Sequence, residues 1–155
     1  MAVDSSSPLL SLKGRALRYL SAREHSRQEL TQKLKAFEAE PGELARVLDD
    51  LEAKDFINEQ RVVDSVVHRR SGKLGALRIR QELQGKGLPV DAIQVAVANL
   101  KATELERARD VWRKKFGEVA QTPQERAKQL RFLASRGFGA EVLRRVVSGI
   151  DDDML

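Results

Sequence analysis

Apolar positions recur every three or four residues along most of the chain, the period of helices that bury one face. The strict alternation that marks a half-buried strand is absent. The pattern predicts an all-α protein with nine helices, at roughly 8–23, 26–38, 42–54, 58–70, 75–86, 90–100, 103–116, 123–136 and 140–150. Several starts carry their own signals. Ser7-Pro8 places a capping hydroxyl before a proline at the first helical position. "SRQE" (Ser26 to Glu29) and "TELE" (Thr103 to Glu106) have the form of capping boxes, and "TPQE" (Thr122 to Glu125) adds proline at the first position. Residues 1–7 and 151–155 lack apolar periodicity, and we expect a disordered N-terminus and a frayed acidic tail.

The helices group in threes. Leu34, Leu83 and Leu133 occupy equivalent places, and the same stripe follows each of them. In the first group it is Leu44, Val47, Leu48 and Leu51; in the second, Ile93, Ala96, Val97 and Leu100; in the third, Leu143, Val146, Val147 and Ile150. A recurring stripe at fixed period predicts repeats, here three tandem three-helix units at 8–56, 57–101 and 102–150 in an elongated, solenoid-like stack. Gly87-Leu88 and Gly137-Phe138 predict left-handed glycine caps with an apolar residue folding back on the helix. The first unit has Glu38-Ala39-Glu40-Pro41-Gly42 there instead, so its turn should differ. Leu83, Ile93 and Val97 should line a core, and Val62 and Val66 should lie on a buried face.

Composition narrows the function classes. Leu, Val and Ile must supply most of the core, because aromatic residues make up only 5% of the chain. There is no cysteine, which excludes disulfides, thiolate metal sites and cysteine nucleophiles. No apolar run approaches the ~20 residues that span a membrane, and the start "MAVDSSSPLL" lacks the basic and apolar regions of a signal peptide. These features predict a soluble, cytoplasmic monomer.

Catalytic constellations are hard to find. His25 and His68 have no second ligand at helical spacing; we expect His25 in an exposed loop and His68 on a solvated face. "GKGL" at 85–88 lacks the glycine spacing and the Ser/Thr of a phosphate loop. Asp49 and Asp50 point about 100° apart on a helix and cannot share a metal. The expectation is no enzyme, no cofactor and no metal.

Charge carries more information. The net charge of +5 favours a polyanion or an acidic protein surface as partner. Basic residues crowd 69–88 and 101–116, while 38–59 is acidic. A helix-turn-helix reader of DNA fits poorly, because "VDAIQVAVANL" after the second-unit turn has no Lys or Arg for base edges or phosphates.

"SRQELTQKL" (26–34), "FINEQRVVDSVV" (56–67), "LGALRIRQELQGKGL" (74–88), "WRKKF" (112–116) and "RFLASRGF" (131–138) together resemble the RecX family of RecA regulators, in order and over about residues 10–150. Val62 and Val66 stand where that family tends to carry aromatics. The resemblance implies tandem three-helix repeats without a catalytic centre. It also implies a protein that binds RecA and its filament on single-stranded DNA and inhibits recombinase, ATPase and strand-exchange activity. The alternative is a helical repeat protein that binds nucleic acid independently of RecA. For either, the expected partner-binding band is Arg69, Arg70, Lys73, Arg78, Arg80 and Lys86, extended by Arg113, Lys114 and Lys115, with contact to RecA or to the DNA backbone left open. Arg78, Arg80 and Lys86 are expected to face solvent.

Overall fold

The computed structural model describes residues 10–149. The expected Ser7-Pro8 start, Ile150 and the acidic tail lie outside the described residues. Among those described there are nine α-helices and no strand: α1 (Leu12–Ala22), α2 (Arg27–Leu34), α3 (Glu43–Ala53), α4 (Glu59–Arg70), α5 (Ala76–Gly85), α6 (Val90–Ala102), α7 (Glu104–Lys115), α8 (Pro123–Ser135) and α9 (Ala140–Ser148). The caps explain most boundaries. The Ser11 hydroxyl accepts from the Gly14 amide at 3.0 Å, so α1 starts at Leu12. Ser26 and Glu29 form the full reciprocal capping box of α2. Thr122 caps α8 through the Glu125 amide, with Pro123 at the first position.

One expected cap and one expected helix end differ. Thr103 makes no side-chain cap; its hydroxyl instead donates to the Leu100 carbonyl and accepts from Arg107 Nε at 3.1 Å. Helix α2 also stops at Leu34 rather than near 38. A single 3-10 turn, Lys35–Phe37, tightens its end before the chain reaches Pro41 and the left-handed Gly42 (φ 87°).

Of the eleven described positions of the threefold stripe, eight are buried and three, Val47, Val97 and Leu143, are half-buried. In the middle repeat Ala96 takes the buried place beside Ile93, and Val97 sits at the margin. Leu83, Val62 and Val66 are buried, as expected. Gly87 and Gly137 both adopt the left-handed conformation, with Leu88 and Phe138 buried behind them. At Gly137 the amides of Gly137 and Phe138 satisfy the carbonyls of Ala134 and Leu133, which closes α8.

The chain divides into two compact units, Met1–Ser65 with Lys86–Pro89, and Val66–Gly85 with Val90–Leu155. In the first, α1, α2 and α3 enclose Leu12, Ala16, Leu30, Leu34, Leu44, Leu48, Leu51 and Ile57. In the second, α7, α8 and α9 enclose Ala108, Leu133, Phe138, Val146 and Val147, and α6 packs on both α5 and α7.

His25 departs from the expected exposed loop. It is only 2% exposed, its ring lies 5.5 Å from Tyr19, and its nitrogens face the Arg23 carbonyl and Lys33 Nζ, both at 3.0 Å. Burial lowers its pKa, the Arg23 carbonyl opposes that, and nearby Arg23 and Lys33 add to it. A neutral ring that donates from Nδ1 and accepts from Lys33 at Nε2 satisfies every partner. His68 is exposed, as expected.

The candidate partner-binding cleft

In the second compact unit, α5 begins against the third repeat. The Gly75 amide donates to the Arg136 carbonyl at 2.8 Å and the Leu77 amide to the Gly137 carbonyl at 3.2 Å. The Ala76 amide donates to the buried carboxylate of Glu104 at 2.7 Å. These partners satisfy amides that every helix start leaves open. Arg107 ties down the preceding loop: its guanidinium donates to the carbonyls of Ser71, Leu74 and Leu100. Burial lowers its pKa, against the attraction of Glu104, without removing its charge.

The resulting framework leaves a cleft of about 590 Å³ bounded by the 70–74 segment, α5, α7 and α8. Arg70, Lys73, Arg78, Lys114, Lys115 and Arg136 line it, with Glu82 as the one acid among its lining residues. Its apolar surface comes from Leu74, Val111 and Phe132. Helical spacing explains the convergence, because Arg78 and Glu82, Val111 and Lys115, and Phe132 and Arg136 are each four residues apart on one helix face or its end. Lys115 Nζ stands 5.4 Å and the Arg136 guanidinium 4.8 Å from the centre of the Phe132 ring, which Phe116 meets edge-on. Glu82 accepts from Arg70 at 3.0 Å and lies 3.8 Å from Arg69.

Five of the nine predicted site residues therefore line one cleft: Arg70, Lys73, Arg78, Lys114 and Lys115. Arg69 is held toward Glu82 outside the lining. Arg80 is exposed but falls on another face of α5, about 200° around the helix from Arg78. Arg113 bonds Asp110 and lines a different pocket. Lys86 corrects the expectation of a solvent-facing group. Its side chain is 14% exposed and pairs with Glu29 at 3.1 Å inside the first compact unit. Arg78 also does more than face solvent, since it donates to the Ser135 carbonyl at 2.8 Å. Arg136 and Phe132 were missed by sequence reasoning; the signal was their spacing of four immediately before the Gly137 turn.

The acidic stretch 38–59 is less of a counter-pole than its composition suggests. Asp49 and Glu52 pair with Arg27, Asp50 with Lys13 and Lys54, and Asp55 with Arg61.

Family models for the first, second and third three-helix domains of RecX match residues 13–51, 58–97 and 102–147. The chain belongs to the RecX family. Among its relatives, regulatory protein RecX of Leptothrix cholodnii is 52% identical over 149 residues, covering 96% of this chain and 95% of its own. Regulatory protein RecX of Ralstonia nicotianae is 44% identical over 142 residues, covering 92% and 89%. Two solved RecX structures share the fold. The crystal structure of RecX from Lactobacillus salivarius aligns with a TM-score of 0.72 at 18% identity, over 93% of this chain and 96% of that one. A crystal structure of regulatory protein RecX also gives 0.72, at 24% identity, over 87% and 70%. The RecX fold is thus all-α with three tandem three-helix domains, and the cleft draws on the second and third of them. None of the RecX helices described here is long and apolar enough to cross a membrane.

Proposed function

We propose that this member of the RecX family binds RecA and its filament on single-stranded DNA, and restrains recombinase, ATPase and strand-exchange activity without turning over a substrate. The observation that carries the reading is the convergence of six cations on the Phe132 cleft, joined to a chain whose relatives are named regulatory proteins. A cleft of this kind suits a polyanion or an acidic protein face, because its apolar walls keep the local dielectric low and concentrate the positive field. A filament presents both kinds of anion, acidic side chains and phosphates.

The test reverses Lys114 and Lys115 to Glu. Both are exposed, but they stand in the last turn of α7. Two glutamates there should cost about 1–2 kcal/mol through the helix dipole, and circular dichroism checks that the variant stays folded. The folded variant should lose most of its inhibition of RecA's DNA-dependent ATP hydrolysis, and wild-type inhibition should weaken as salt rises. Undiminished inhibition would overturn the reading. Binding that is equally strong on bare and RecA-coated single strands would favour the alternative, a nucleic-acid-binding protein independent of RecA.

A further inference from the structure

Arg107 stands in the first turn of α7 yet serves other helices. In its own helix a cation there meets the positive end of the dipole. Its guanidinium reaches instead the carbonyl of Ser71, one residue past the end of α4, and that of Leu100 in the last turn of α6, each at 2.8 Å. These carbonyls lie at the negative ends of two helices, where a cation is favoured. Nη1 also donates to the Leu74 carbonyl at 2.7 Å, and Nε to the Thr103 hydroxyl at 3.1 Å. The planar fork of arginine serves acceptors from two chain segments at once, which a single ammonium does less well.

The segment so held carries two of the six cations of the Phe132 cleft, Arg70 and Lys73, and one of its apolar walls, Leu74. Arg78, Lys114, Lys115 and Arg136 supply the other four from α5, α7 and the end of α8. Like charges gathered in one cleft repel one another. Glu82 bonds Arg70 at 3.0 Å, whereas Lys73 is exposed and is held through its backbone. Beyond its chain neighbours, no atom lies within 4 Å of the point where a side chain at Gly72 would begin, so the outer side of the loop is open. The inner side rests on Arg107, and the Gly75 amide ties the far end to the Arg136 carbonyl.

We propose that Arg107 is the positioning residue of the Phe132 cleft. By clamping the Ser71 and Leu74 carbonyls it holds Arg70 and Lys73 beside the other four cations against their mutual repulsion, so the site is assembled before the partner arrives. A site gathered in advance binds more tightly than one that the partner must gather. The inference rests on the reading of that cleft as the partner-binding site.

The test is a double-mutant cycle in the full-length chain, read as the concentration that half-inhibits RecA's DNA-dependent ATP hydrolysis. Lys73→Gln and Lys114→Gln should each raise that concentration roughly two- to fivefold, the scale of a partly exposed ion pair. In an Arg107→Gln background Lys73→Gln should add less than about 1.5-fold, because its ammonium is no longer held in place. Lys114→Gln, carried by α7 itself, should keep its full effect there. An arginine that only stabilised the fold would leave both effects intact. Trypsin supplies a second measurement that needs no partner: cleavage after Lys73 should be about tenfold faster in Arg107→Gln than in wild type. Circular dichroism checks that each variant is folded, and Arg107→Lys takes the place of Arg107→Gln if the latter is not. Equal Lys73 effects in both backgrounds, or unchanged cleavage after Lys73, overturn the clamp while the cleft stands. If neither Lys73→Gln nor Lys114→Gln changes inhibition in wild type, the reading of the cleft falls and the proposal with it.

Discussion

The amide of Ala76 and the carboxylate of Glu104 meet at 2.7 Å, and both residues are buried, at 2% and 5% exposure. A charged acceptor on a helix-start amide is a strong bond and also complements the positive end of the α5 dipole. Replacing Glu104 by Ala leaves the Ala76 amide buried without its acceptor. The expected loss is about 1–3 kcal/mol in urea unfolding. Glu104→Gln keeps an acceptor oxygen and should lose less. Equal losses for the two variants would show that the packing volume at 104 matters more than the bond.

Gly137 combines a positive φ of 88° with a close approach by the Arg78 backbone and side chain. An alanine there meets both the left-handed penalty and a collision, so Gly137→Ala should lower stability by more than about 1 kcal/mol. Gly85, within α5, has open space where its Cβ would point. Gly85→Ala should be neutral or stabilise by up to about 1 kcal/mol. Thermal melts of the two variants side by side check the contrast.

Acid should destabilise the first compact unit in two stages. Burial opposes ionisation of Glu29, but bonds from Arg23, the Ser26 amide and Lys86 outweigh it and hold the carboxyl at about 2, below its ordinary 4.5. A depressed carboxyl adds stability above pH 4.5 that disappears as pH falls toward 2. The linked free energy is on the order of 3 kcal/mol. His25 acts in the same direction at higher pH. Its folded pKa lies below 6.5, so the unfolded chain takes up the proton first and stability declines as pH drops under that value. Urea midpoints from pH 7 to pH 3 should fall in the wild type, and Glu29→Gln should flatten the lower part of that curve.

Glu82 competes with any anion that enters the cleft, since it already holds Arg70. Glu82→Gln should tighten binding of a polyanion roughly two- to fivefold at low salt, the scale of a partly exposed ion pair. It should also steepen the salt dependence. Fluorescence anisotropy with a labelled single-stranded oligonucleotide measures both, and weaker binding would mean that Glu82 orients the arginines rather than masking them.

The apolar stripe was legible because helical burial imposes one period wherever it occurs, and Leu34, Leu83 and Leu133 kept register through all three repeats. The glycine turns were legible for a similar local reason. His25 was not, because its burial comes from the convergence of Tyr19 and Lys33, which no local pattern announces. The basic band was half legible. Periodicity separates buried from exposed positions, yet exposure in a helix does not say which exposed face meets another helix. That is why Arg80 left the cleft, Arg136 entered it and Lys86 turned out to be paired with Glu29. Thr103 had the letters of a capping box, but Arg107 takes its hydroxyl.

Repeat arrays are commonly treated as strings from which a copy can be deleted or transplanted. The backbone bonds from Gly75 and Leu77, and the Glu104 carboxylate on Ala76, argue against that freedom here. Excising the third repeat would strip the second of the acceptors at its own helix start. The end of the array is therefore no detachable cap, and a shortened protein would inherit a frayed α5 along with half of its cleft.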